Sequence, residues 1–257
     1  MLEALHNMFY ALNTLPMTLR IFKTIAELNE DLAKHVIEIA HTAIKANGRF
    51  NFVLTGGSSP KELYKSLSTV YKAQIDWSKV FFFIGDERNV PANDKDYNGL
   101  MAKETLLNEL QIPENQVFLV DTSLAPTAAA KAYKAALDQH FSGQSIEFDL
   151  ILLGMGDDAH TASIFPYTDL VKNEEEDVAA VWVEKLNTYR ISLTAPLINK
   201  AKNIAFITYG ENKAKALQHV IADEQKDFNT YPAQLIKPIN GNLDWFVDEQ
   251  AASLLKL

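Results

Sequence analysis

The chain has 257 residues, 47% of them hydrophobic, enough to bury a sizeable core in one large α/β unit. Its 24 basic and 33 acidic side chains leave a formal net charge of −9, the wrong sign for a general nucleic-acid surface or a peripheral binder of anionic membranes, so an anionic ligand must be held by a local site. The absence of cysteine excludes disulfides, thiolate metal sites and a thiol nucleophile, and fits a reducing compartment such as the cytoplasm.

Residues 1–20, MLEALHNMFYALNTLPMTLR, have neither a basic start nor a long apolar run. They read as an extension or partner-docking tail ahead of one domain over residues 21–257, not as a signal peptide. No later run is long enough to span a bilayer. Ile25, Leu28, Leu32, Val36 and Ile39 keep three- and four-residue spacing and predict a helix. Strands are predicted at FNFVLT (Phe50 to Thr55), KVFFFIG (Lys79 to Gly85), QVFLV (Gln116 to Val120), FDLILLG (Phe148 to Gly154), RISLT (Arg190 to Thr194) and NIAFITY (Asn203 to Tyr209). Such continuous apolar runs suit strands covered on both faces. Ala214, Leu217 and Ile221 mark another helix, and the acidic NEEED at Asn173 to Asp177 reads as a solvated loop. The alternation predicts an α/β fold: a doubly wound, largely parallel sheet with helices on both faces. There is no internal repeat, Gly/Ser linker or low-complexity segment.

Ligands of open α/β sheets gather beyond the carboxyl ends of the strands. Three chemically loaded segments fall there. In TGGSSPKELY, Gly56 and Gly57 permit a tight turn, Ser59 reads as an N-cap, Pro60 as the first helical residue, and Glu62 completes a capping box. The N–H groups of such a turn, with a helix start behind them, form a receptacle for phosphate; a capped turn without ligand fits the same residues. Neither the Walker ending nor the dinucleotide fingerprint is present. GDERNVPANDKDYN carries Asp86, Glu87 and Arg88 directly after a strand. Most such triplets are ion-paired surface loops. Arginine is scarce here, only Arg20, Arg49, Arg88 and Arg190, and a planar, permanently charged fork in this position suits a phosphate or carboxylate.

The third segment is GMGDDAHTASIFP. Of six histidines, His35, His41, His140 and His219 fall in helical patterns and His6 in the tail. His160 alone follows a buried strand in a glycine-containing loop. Its imidazole accepts a proton near neutral pH, and Asp157 or Asp158 is close enough in sequence to fix its tautomer. A metal site would require those three residues to converge with further ligands that the spacing does not supply, so none is expected. Ser58, Ser59 and Ser163 lack the nucleophile-elbow context, which leaves water as the better nucleophile.

Together LTGGSSPKELY, FFFIGDERNVP, FDLILLGMGDDAHTASIFP, RISLTAPLINKAKNIAFITYGENKAKAL, YPAQLI and LDWFVD, in that order from about Asn29 onward, resemble the 6-phosphogluconolactonase family, whose fold is shared with glucosamine-6-phosphate deaminases and isomerases. The resemblance implies hydrolysis of 6-phospho-D-glucono-1,5-lactone in the pentose phosphate pathway, without a required cofactor; the sequence leaves monomer and homodimer both open. It implies that His160 activates water, with Asp158 as its orienting partner; Asp86, directly after its strand, is a further catalytic candidate and the alternative base. Arg88 and Lys213 match residues at the phosphate end of the substrate, Gly56, Gly57 and Ser58 match the phosphate-side loop, and Arg190 is a weaker match. Two positions depart from the family pattern: Ala159 stands where glycine is usual, and Tyr97 where serine is more frequent. If position 159 requires positive φ, alanine there costs about 1 kcal/mol, with strain or a different local turn and activity retained. Two alternatives share the fold, a sugar-phosphate deaminase or isomerase and a non-enzymatic sugar-phosphate sensor. The DER and HTASIFP segments favour the lactonase, and the acidic chain without a basic helix-turn-helix argues against a DNA-linked sensor.

Overall fold

Along the central strands, side chains alternate between two faces, and both faces are apolar. The computed structural model describes residues 17–256. Its strands are β1 (Met17–Phe22), β2 (Phe50–Leu54), β3 (Val80–Ile84), β4 (Asp86–Arg88), β5 (Val117–Phe118), β6 (Leu150–Leu153), β7 (Val178–Val183), β8 (Thr188–Leu193), β9 (Asn203–Thr208) and β10 (Asn242–Asp248). The helices are α1 (Ile25–Asn47), α2 (Lys61–Ser68), α3 (Asn98–Ala102), α4 (Asn108–Leu110), α5 (Pro126–His140), α6 (Ala195–Ile198) and α7 (Ala214–Ala222).

Seven strands form one parallel sheet in the order β1-β10-β9-β6-β2-β3-β5. Phe52, Leu54, Phe82, Leu150, Leu152 and Phe246 point to one face, where they pack with Leu28, Leu32 and Val36 of α1 and Leu63 and Leu67 of α2. Val53, Phe83, Ile151, Leu153, Phe206 and Trp245 point to the other, against Tyr133 and Leu137 of α5 and Leu217 of α7. Burial on both faces is why these strands read as unbroken apolar runs. Among the described residues, no helix is long and apolar enough to cross a membrane.

Four features correct the sequence reading. Met17 to Arg20, assigned above to the extension, open β1, which pairs with β10 at the sheet edge; Arg20 bonds Asp244 across that pair at 3.2 Å. The rest of the extension, with His6, lies outside the described residues. RISLT does not join the parallel sheet: it lies in β8, the centre of a three-stranded antiparallel sheet β4-β8-β7. DER is a strand of that small sheet, not a loop. The Ser59/Glu62 capping box is absent. Pro60 occupies the cap of α2 in a helical conformation and Lys61 N–H bonds the Ser58 carbonyl at 3.3 Å, so the Ser59 hydroxyl is not presented to the first turn. A capping box does form at Thr24 and Glu27, which starts α1.

Candidate active site

The strand order reverses between β2 and β6: β3 and β5 lie on one side, β9, β10 and β1 on the other. The loops after β2 and β6 therefore flank the crevice at the switch point. After β2, the buried Tyr64 hydroxyl both accepts from Thr55 N–H and donates to Thr55 C=O, each at 2.9 Å, and pins the end of the strand. The chain then turns through Gly57 at φ 85, a left-handed conformation that favours glycine. Gly56 packs so closely on the Asn98 side chain that a Cβ there would overlap it. Asn98 in turn donates to Asp86 C=O at 2.7 Å, tying this turn to β4.

From β3 the chain enters β4 through one residue, Gly85, whose N–H bonds Leu54 C=O of β2 at 3.0 Å and whose C=O accepts from Leu193 N–H of β8 at 2.9 Å. In the β4–β8 register Arg88 lies directly opposite Arg190. Like charges opposite one another on a sheet are destabilising unless an anion lies between them. Both Nε atoms are buried and have no hydrogen-bond partner among the described residues, while Arg88 donates from Nη1 to Asp96 C=O at 2.8 Å. Burial and the neighbouring Arg88 charge lower the Arg190 guanidinium from its ordinary value. Arg190, the weaker match on sequence, is thus half of a cationic pair.

On the opposite face of β4 from Arg88, Glu87 is fully buried and accepts N–H bonds from Arg88, Asn98 and Gly99 at 2.8, 2.7 and 2.9 Å. Desolvation outweighs those bonds and pushes its carboxyl up to about 7 from 4.5. The native state then holds more protons than the unfolded chain between those values, so stability falls as pH rises through the window, by roughly 3 kcal/mol in total from this group. Urea midpoints at pH 5 and pH 8 should separate less in Glu87→Gln than in the wild type. Equal separations in the two proteins would remove Glu87 as the cause.

The loop after β6 builds the imidazole site. Ala159 adopts φ 60, so the position usual for glycine keeps its left-handed turn with alanine in it, at about 1 kcal/mol. This turn brings Asp158 Oδ1 to 2.5 Å from His160 Nδ1 and 3.2 Å from His160 N–H. An ionised carboxylate only accepts, so Nδ1 carries the proton and Nε2 is the basic atom. Desolvation raises the Asp158 carboxyl, but is outweighed by the bonds and charge of His160 and by Lys185, and the net shift is well below the ordinary range. Phe165 stacks on the imidazole at 3.9 Å between centroids. Gly156 lies behind both groups: a Cβ there would overlap His160 Nδ1 and Cε1 and press on Asp158 Oδ1.

One cavity of about 330 Å³ is lined by Gly56, Gly57, Ser58, Asp86, Arg88, His160, Arg190 and Lys213. Every site residue expected from sequence is therefore on its wall except Asp158, which stands behind His160. Asp86 accepts from Ser163 Oγ at 2.7 Å and so anchors the turn that follows His160. Tyr97 donates to Val120 C=O at 2.7 Å, so the larger residue brings its own partner. Sequence reasoning missed Lys185, which bonds Asp158 Oδ2 at 3.0 Å, and Asn98, because neither lies near its partner in sequence.

A family model described as glucosamine-6-phosphate isomerases/6-phosphogluconolactonase matches residues 23–245. A 6-phosphogluconolactonase of a Nostoc species is 38% identical over 220 residues, covering 84% of this chain and 89% of that protein. The 6-phosphogluconolactonase of Rattus norvegicus is 34% identical over 247 residues, covering 94% and 95%. Among solved structures, the 6-phosphogluconolactonase of Trypanosoma brucei superposes with a TM-score of 0.80 at 27% identity, over 95% of this chain and all of that one (100%). Because these matches run through both the sheet and the three loops that build the cavity, the chain belongs to the glucosamine-6-phosphate isomerase/6-phosphogluconolactonase family.

Proposed function

We propose that the chain hydrolyses 6-phospho-D-glucono-1,5-lactone to 6-phospho-D-gluconate, with His160 as general base for the attacking water. The observation that carries this reading is an imidazole oriented through Nδ1 by a carboxylate, in the same cavity as two cross-strand arginines whose Nε atoms lack partners. Arg88, Arg190, Lys213 and the Gly56–Gly57–Ser58 turn hold the phosphate, and that remote binding positions C1 over Nε2. The water oxygen bonds to C1 as its proton passes to Nε2. Asp158 stabilises the imidazolium, which returns the proton to the ring oxygen as the C1–O bond breaks. The new carboxylic acid releases its proton to solvent. A lactone is an activated ester, so base, orientation and charge suffice without a covalent intermediate. The relatives matched over most of the chain are named as lactonases, which favours this substrate over an amino sugar. The cysteine-free composition supports a cytoplasmic setting.

The direct test is the disappearance of freshly generated lactone with and without the protein, corrected for spontaneous hydrolysis. A rate equal to the uncatalysed one sinks the proposal. Arg88→Ala and Lys213→Ala should each raise KM about tenfold to a hundredfold, the cost of a charged hydrogen bond, with little change in Tm. Unchanged KM in both would remove the phosphate assignment.

A further inference from the structure

Lys185 sits on the short turn between β7 and β8, where it is 62% exposed, and reaches across 27 residues of sequence to Asp158. Asp158 divides its oxygens: Oδ1 takes His160 Nδ1 and Oδ2 takes the Lys185 ammonium. Lys185 and Phe165 also form the partition between the cavity already described and a larger neighbouring one of about 810 Å³. We propose that Lys185 is a positioning residue: it fixes the carboxylate that orients His160 and limits how strongly that carboxylate stabilises the protonated imidazole. This rests on His160 being the base.

The physical argument is electrostatic and geometric. A carboxylate held at one oxygen, as His160 Nδ1 and N–H hold Oδ1, keeps some freedom about its Cβ–Cγ bond, and a charged hydrogen bond to the second oxygen removes it. The ammonium also repels an imidazolium directly and shares the charge that would otherwise serve it alone. Around the cavity, His160 is faced by Asp158 from its own loop, Lys185 from the β7–β8 turn, Asp86 and Arg88 from β4, Arg190 from β8, and Lys213 ahead of α7. Of the four cations, Lys185 is the one bonded to the orienting carboxylate. It therefore tunes the base without occupying the phosphate end.

The sign follows. Removing the ammonium favours the protonated imidazole, so protonation sets in at higher pH. In Lys185→Met, the acid limb of the kcat/KM profile should move upward by about half a pH unit at low salt, a size set by a screened unit charge at this range. Lys185→Arg, which keeps the charge, should hold the wild-type limb. Imidazole NMR titration of the ligand-free protein should show the same upward displacement, and it requires no lactone, so it decides the coupling even if the lactonase reading fails. An unmoved limb and titration, with activity lowered equally at every pH, would reduce Lys185 to a loop contact. A raised KM without any displacement would make it a substrate contact. Either result overturns the proposal.

Discussion

His160→Asn is expected to lower kcat on the order of a hundredfold to ten-thousandfold while leaving KM within a few-fold. The asparagine keeps a polar group that can still bond Asp158, but it has no atom that takes a proton near neutrality. The proposed phosphate end, built from β4, β8, Lys213 and the turn after β2, makes no hydrogen bond to the substituted side chain among the described residues, so capture of the substrate is expected to persist. The wild-type rate should also fall on acidification as Nε2 becomes occupied. The lactone hydrolyses by itself in mild base, so the measurement belongs at or below neutral pH with the uncatalysed rate subtracted. A folded His160→Asn protein with near-normal kcat would pass the role to Asp158 or Asp86.

A loss of similar size is expected from a change that leaves every polar group in place. Gly156→Ala puts a methyl where the imidazole and the Asp158 carboxylate already are. The ring cannot stay where it is: Phe165 stacks on one face and Asp158 holds its edge, so it is driven toward the cavity. The dyad must move, and a displacement near 1 Å in a reacting group costs about a hundredfold in rate. The overpacking costs stability as well, about 1–3 kcal/mol, with the protein still folded. The checks are kcat, Tm and the imidazole titration of the variant. Retention of full kcat would mean that the Asp158–His160 contact does not set the reactive geometry.

The parts of this fold that could be read from sequence are those where burial is symmetrical. FNFVLT, FFFI and LILL are covered on both sides and announce themselves as continuous apolar runs. β1 and β10 do not read as apolar strands because charges interrupt them. Asp244 is buried in β10, where Arg20 compensates it, and Asp248 accepts from Gly210 and Ala251 N–H groups. That compensation comes from elsewhere in the chain and leaves no local pattern. RISLT belongs to a different class of strand: Ile191 and Leu193 enter the core while Arg190 lines the cavity. Read as an apolar run, it merges with the parallel strands; read by its period of two, Arg190, Ser192 and Thr194 share one face, and Ser192 and Thr194 are buried there. The site was largely legible, because loops after parallel strands converge on one edge. Lys185 was not, since its partner depends on how the β7–β8 turn folds back.

Gly85 carries a consequence for selectivity. Its two backbone bonds rivet the parallel sheet to the small antiparallel one, which carries the arginines and, through Asp86 and Ser163, is tied to the imidazole loop after β6. On the proposed reading the arginines hold the phosphate and His160 faces the carbonyl carbon, and those two grips cannot spread without breaking sheet hydrogen bonds. On that reading the site is a fixed caliper between a phosphate and a carbonyl carbon. A lactone whose phosphate ester is one carbon nearer the carbonyl satisfies one jaw and misses the other, however well its ring would react in solution.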